Sequence, residues 1–340
     1  MTDTPPSSIR HPLRAILPSL LGIALFVVAL LALHHELRGH TFHEVFLSLQ
    51  AISQARLILA AVLVVLVYSI QTLYDTISFR FIRHTIAYRS VALASFLGHA
   101  IANNIGFAAL MSGSVRFRYY LARGVSPGQI LFVVAFGSLT FWLGFGTVCM
   151  VNLLFFPPPI PPFFHLPLSS LQPVGFVLLI LLVLYLVWSA THQRSTFKFF
   201  GYHFRVAPLR ITFLQILTAS SEWLVGASIL YVLLPPSLSI SYGSFLSIFL
   251  LAQIMGLLSQ VPGGIGVFES IVLALMPGAM AVPEAIASIL VYRIFYNLAP
   301  LTVATGIMGY RELLHRRDYF NATPVGPPVV DEKSAEGMPD

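Results

Sequence analysis

The stretch Gln260-Val261-Pro262-Gly263-Gly264-Ile265-Gly266-Val267-Phe268-Glu269 interrupts an otherwise apolar run over about 244–278. Its proline removes a backbone donor and its glycines supply positive φ, so no continuous helix passes through it. A helix broken inside hydrocarbon exposes N–H and C=O groups that lipid cannot satisfy. Such a break must therefore face protein or a water-filled cavity. A second apolar run, about 90–112, is broken by Asn103, Asn104 and Gly106 and then carries Ser112-Gly113-Ser114.

The rest of the chain establishes that the solvent is a bilayer. Of 340 residues, 57% are hydrophobic and only 9% charged, and the mean hydropathy is +0.84. A soluble domain carries roughly 25% charged residues. Clear spanning candidates lie at about 14–33, 55–79, 128–152, 173–191, 211–234 and 282–310, each near the roughly 20 residues a bilayer requires. The first reads as a retained helix, since no small-residue cleavage site follows it. Residues 34–54 carry Phe42, Val45, Phe46, Leu49 and Ile52 at helical spacing, which predicts an amphipathic helix in the membrane interface.

Parity decides how the two broken runs sit. Arginines and lysines cluster at 10–14, 80–89, 116–123, 194–210 and 311–317, whereas the loops at about 153–172 and 235–243 have none. If both broken runs enter and leave by the same face, every basic cluster lies inside and both uncharged loops outside, as orientation by positive charge requires. The expectation is an all-α polytopic membrane protein with about six spans and two oppositely oriented re-entrant hairpins, and with both termini cytoplasmic. Its parts are a cytoplasmic N-terminus (1–13), a transmembrane domain (14–315) and a disordered cytoplasmic tail (316–340). Span, hairpin, span over 55–152 then repeats in opposite orientation over 211–310. That is the inverted repeat of many secondary transporters, with a site near the midplane at broken helices.

Ionisable groups in these segments are costly, roughly 2.5–3.5 kcal/mol each at a helix centre on insertion scales. Asp75, Glu222, Glu269 and Arg293, with Arg116 and Arg118 after the first break, must face an interior or pair with one another. Two readings stay open. The arginines could hold a lipid phosphate while Glu269 or Glu222 meets a cationic or hydroxyl portion. Alternatively, Glu269 pairs with Arg293 or Arg118 and locks the hairpins. The expected hairpin breaks are Gly113, Pro262, Gly263, Gly264 and Gly266.

Several function classes fall away. The single cysteine, Cys149, excludes a disulfide framework and multi-cysteine metal or redox sites. Basic residues confined to loops give no stripe for nucleic acid. The glycine run lacks the Lys-Ser/Thr of a P-loop, and His35-Glu36 with His40 misses the zincin spacing. No nucleophile and base converge, so no enzyme activity, metal or cofactor is expected.

The two hairpin motifs carry a family resemblance. Asn103-Asn104-Ile105-Gly106-Phe107 with Ser112-Gly113-Ser114-Val115-Arg116-Phe117-Arg118-Tyr119-Tyr120, and Val261-Pro262-Gly263-Gly264-Ile265-Gly266-Val267-Phe268-Glu269, resemble the transmembrane region of bacterial lysylphosphatidylglycerol synthases/flippases, the multiple peptide resistance factors. Tyr74-Asp75, Leu233-Leu234-Pro235 and Tyr292-Arg293-Ile294-Phe295-Tyr296 add to it, and the likeness covers about 14–315. It implies a lipid-translocating domain of the bacterial inner membrane; the expected site residues are Asp75, Asn104, Arg116, Arg118, Glu222, Glu269 and Arg293. Only about thirty polar residues follow the last span, so the resemblance does not carry the aminoacyl transfer of the full-length synthases. Expected partners are a membrane phospholipid, with a further copy of the chain or a lipid synthase beside it. The alternative is a lipid-binding accessory subunit of a separately encoded synthase or glycosyltransferase.

Overall fold

The computed structural model describes residues 42–104, 108–157, 170–192, 195–199, 202–276 and 281–321. Among the described residues the protein is all-α apart from one short β-hairpin. Its elements are α1 (Phe42–Ala51), α2 (Gln54–Phe81), α3 (Tyr88–Ala102), α4 (Ala108–Leu121), α5 (Pro127–Phe155), α6 (Gln172–Thr191) and the antiparallel strands β1 (Thr196–Phe199) and β2 (Tyr202–Arg205). They continue with α7 (Leu209–Leu233), α8 (Tyr242–Leu258), a single 3₁₀ turn at Pro262–Gly264, α9 (Val267–Leu275) and α10 (Val282–Arg293). A π-helical turn at Ile294–Leu298 joins α10 to α11 (Ala299–Asn321).

Among the described residues, five helical segments are long and apolar enough to cross a membrane: α2, α5, α6, α7 and the continuous Val282–Leu313. These correspond to five of the six expected spans; the sixth, 14–33, lies outside the described residues, as do 1–13 and 322–340. Residues 316–321 were expected in the tail but belong to α11, which stays helical to Asn321.

Helices α3, α4, α8 and α9 are 15, 14, 17 and 9 residues long. At 1.5 Å per residue none reaches across a ~30 Å core alone. Contacts fix where each pair begins and returns. Phe81, at the end of α2, stacks on Phe132 and Phe136 in the first turns of α5, with centroids 5.8 and 5.6 Å apart. The chain therefore enters α3 and leaves α4 at one end of the bundle. At the other end, Arg56 donates to Leu234 O at 3.2 Å and Ser288 of α10 donates to Leu233 O at 2.9 Å. Ser247 of α8 also donates there, to Phe156 O after α5. The chain enters α8 and leaves α9 at this second end.

Local chemistry sets the helix ends. Ser126-Pro127-Gly128-Gln129 forms a capping box with proline in the first turn, which starts α5 sharply. Ser241 caps α8 by accepting from Ser244 N at 3.1 Å. The core lies where α2 and α7 pack along each other and α5 crosses α7. At that crossing Gly144 has no room for a side chain, because a Cβ would overlap the Ala219 side chain and lie 2.8 Å from Ser220 N. Only Gly175 and Ser189 of α6 are buried, so α6 is peripheral. Helix α1 packs along α10.

Gly113 is not a hairpin break. Helix α4 runs through it, and a Cβ there would make only ordinary contact with Val134. The stop falls earlier, where Asn103 ends α3 and the Asn104 amide folds back to donate to Ala100 O at 2.8 Å. Glycine inside a helix costs only about 1 kcal/mol against alanine, which the flanking helix formers carry. The second break does use its glycines: Gly263, Gly264 and Gly266 have φ of +61°, +62° and +85°.

Candidate functional site

Polar side chains gather in three clusters within the bundle, two of them buried and the third part-buried. The first joins α2, α3 and α4. Asp75, 1% exposed, accepts from Arg116 Nε at 3.0 and 2.8 Å through its two oxygens, and from the Tyr120 hydroxyl at 2.6 Å. The other end of the guanidinium donates to the Ser112 hydroxyl and lies 3.3 Å from His99 Nδ1. Gly98 makes this possible, since a Cβ at that position would sit 2.9 Å from Arg116 Nη1. A buried ion pair survives desolvation only when such additional hydrogen bonds satisfy its remaining donors and acceptors.

The second cluster lies on the α7-facing side of α2. Glu222 accepts from Gln71 Nε2 at 2.7 Å and from the Tyr74 hydroxyl. Both donors are neutral. Because Tyr74 and Asp75 are adjacent on α2, the two clusters flank one backbone turn. The Tyr74 ring meets the His99 ring edge-on at 5.8 Å and connects them.

The third cluster is where the two helix breaks meet. Arg293 donates from Nε to Glu269 at 2.7 Å and also donates to the Gly263 carbonyl, tying the last span to the 3₁₀ turn. The other Glu269 oxygen accepts from Gly266 N at 2.8 Å and caps α9. Arg293 also lies over the Phe268 ring, 5.2 Å from its centre. Four residues on, in the π turn, Asn297 Nδ2 donates to Asn103 O at 3.0 Å, while Asn104 Nδ2 donates to Asn297 O at 3.1 Å. A Cβ on Gly263 would be 3.8 Å from Asn103 O, so the two breaks approach each other closely. π turns widen a helix by one residue and recur at functional sites. Here the turn presents Arg293 to one break and Asn297 to the other. Tyr68 closes the group by donating to Tyr296 O at 3.1 Å.

Six of the seven expected site residues thus lie in these clusters. Arg118 does not: it pairs with Glu312 at 2.7 Å with side chains 67% and 44% exposed. Of the two partners open to Glu269, the structure selects Arg293. Sequence reasoning missed Gln71, His99 and Asn297. The signal was available, since each is a polar residue in an apolar helix, the placement that membrane segments reserve for interior contacts. Among the described residues, no group of three or more His, Cys, Asp or Glu side chains could hold a metal. His35, Glu36 and His40, whose spacing misses that of a zincin, lie outside the described residues.

Searching family models gives no match. The chain is 34% identical over 307 residues to the uncharacterized protein slr0712 of Synechocystis, covering 90% of this chain and 95% of that one. It is 27% identical over 300 residues to the inner membrane protein YbhN of Escherichia coli, covering 86% and 92%. Phosphatidylglycerol lysyltransferase of Staphylococcus aureus is 24% identical over 342 residues; the match takes in 96% of this chain but 38% of that enzyme.

Proposed function

This chain belongs to the membrane-protein family of slr0712 and YbhN, which is homologous to part of phosphatidylglycerol lysyltransferase, and on that footing we propose that it moves a phospholipid, aminoacylated or not, between the leaflets of a bacterial inner membrane. The observation that carries the reading is the convergence of the two helix breaks on the short segment 293–297, where Arg293 holds Glu269 and Gly263 and Asn297 holds Asn103. The α3–α4 and α8–α9 pairs enter from opposite ends of the bundle as re-entrant hairpins and meet at their tips, the two halves of an inverted repeat. Residues 14–315 act as one translocating unit.

Phospholipid head groups need polar partners across the hydrocarbon, and every cluster supplies them. Arg116 and Arg293 offer donors to a phosphate when their carboxylates turn away, and Glu222 and Glu269 accept from hydroxyl or ammonium groups. Asn297 Oδ1, buried without a hydrogen-bond partner in the structure, is free to accept from a passing head group. Rocking of one hairpin against the other opens this path to each side in turn. The described basic residues Arg80, Arg83, Arg89, Arg123 and Arg311 fall at the end where α2 and α11 finish, which supports reading that end as the cytoplasmic one.

The chain performs no aminoacyl transfer in this reading. The test is reconstitution in liposomes carrying head-group-labelled phosphatidylglycerol, phosphatidylethanolamine or a cationic lipid, followed by leaflet-selective quenching. Movement of at least one class above protein-free liposomes supports transport. A stable complex with a lipid synthase and no movement of any class supports the accessory-subunit reading instead.

A further inference from the structure

A cavity of about 490 Å³ opens at the basic end of the bundle, beside the first cluster but sharing no residue with it, lined by Thr76, Phe79, Arg80, His84, Tyr88 and Val91 among others. Buried Phe79 and Val91, with half-buried Ile86, form its apolar floor, and exposed Arg80, Thr85 and Tyr88, with half-buried Thr76 and His84, form its polar rim. Among the described residues no acidic side chain lines it. The described ion pairs leave Arg80 and His84 without a carboxylate, so the Arg80 charge and the His84 ring nitrogens have no acidic partner within the protein. The volume falls within the roughly 300–1,000 Å³ typical of ligand sites. From this combination we infer that the cavity docks the phosphate head group of an anionic phospholipid, with Arg80 and His84 on the phosphate, hydroxyls on its ester and glycerol oxygens, and the apolar floor beneath the first acyl carbons.

The position favours a lipid over a soluble anion. The cavity lies at the end of a spanning helix, where head groups sit, and apolar side chains line it beneath its charged rim. It also touches the interior path. Phe79 meets the Tyr120 ring edge-on at 4.9 Å, and Tyr120 donates to Asp75. Tyr88 on the rim is hydrogen-bonded to Thr72 of α2 at 2.9 Å, one turn from Asp75. A docked head group is therefore one aromatic layer from the Asp75–Arg116 pair. The inference deepens the transport reading by naming where the lipid arrives, and it rests on that reading only for the onward step, because docking is measurable without transport.

The experiment is native mass spectrometry of the full chain released from detergent, titrated with phosphatidylglycerol or phosphatidylcholine. Wild type is expected to retain one phosphatidylglycerol in preference to phosphatidylcholine. The Arg80→Gln/His84→Gln variant should lose that preference by about tenfold, as expected for removing charge-assisted contacts. Arg123→Gln, at the same end but outside the cavity, should keep it. Diazirine-bearing phosphatidylglycerol should label residues 76–91 in wild type. Three results would overturn the inference: undiminished preference in Arg80→Gln/His84→Gln, equal retention of phosphatidylcholine, or displacement of phosphatidylglycerol by millimolar inorganic phosphate, which would make the site one for a soluble anion.

Discussion

The Asn297 side chain donates to the backbone carbonyl of Asn103 across 194 residues of sequence, at 3.0 Å. With Asn104 Nδ2 donating back to Asn297 O, the pair fastens the first helix break to the π turn of the last span. The same turn begins one residue after Arg293, which holds the second break through Gly263 and Glu269. One short segment of the last span therefore senses both hairpin tips. Asn297→Ala should loosen the first tip without touching the second. The expected result is a folded protein with faster hydrogen exchange at 101–104 and altered lipid movement, while exchange at 262–266 stays at the wild-type rate.

Asp75→Ala leaves Arg116 buried with its charge unpaired, a loss of about 3–5 kcal/mol in typical cases. Thermal unfolding in detergent should register it as a large drop in midpoint. Asp75→Leu/Arg116→Met removes both charges and should recover much of that stability, yet remain inactive in lipid movement if the pair takes part in transport. Recovery of both stability and movement would make the pair purely structural.

Arg118→Ala should change stability by less than about 1 kcal/mol, because an exposed pair with Glu312 gains little in water. Lipid movement at saturating lipid should match wild type. A loss as deep as that of an interior substitution would return Arg118 to the path.

Arg83 occupies the position after the α2 C-cap with φ of +54°. Its N–H donates to Arg80 O and the His84 N–H to Phe79 O, the paired bonds of a Schellman turn in which glycine is favoured. The left-handed conformation costs a side-chain-bearing residue roughly 1–2 kcal/mol, partly offset by the greater unfolded freedom of glycine. Arg83→Gly should therefore stabilise the protein by about 1 kcal/mol, read as a raised unfolding midpoint.

Gly144→Val tests the α5–α7 crossing. Overpacking a close contact typically costs about 1–3 kcal/mol. Here the obstacle includes the backbone of Ala219 and Ser220, which cannot rotate aside. A lowered midpoint is expected, whereas Gly113→Ala, with ordinary contact to Val134, should be neutral or stabilising.

Much of this architecture is legible in the sequence because a bilayer enforces long apolar runs and tolerates few exceptions. The runs at 55–79, 128–152, 173–191, 211–234 and 282–310 meet observed helices within a few residues. Gly113 misleads because glycine breaks a helix only where the backbone turns, and that decision depends on Asn103 and Asn104 finding partners in the distant π turn. Gln71, His99 and Asn297 carry no periodic signal, so which buried charge or break they serve emerges only from packing. The π turn leaves no mark in composition either. Arg293 with Glu269 was one of two pairings the residues allowed, and the structure chose it through the fold of the 3₁₀ turn between them.

The most direct measurement is leaflet-selective quenching of head-group-labelled lipid in proteoliposomes, comparing wild type with Glu269→Gln. Glutamine keeps an oxygen for Gly266 N but removes the charge opposite Arg293, so the protein should fold. Movement in wild type and its loss in folded Glu269→Gln is the predicted result. Wild type indistinguishable from protein-free liposomes for every head group, or Glu269→Gln as fast as wild type, would contradict a lipid path through the meeting point of the two breaks.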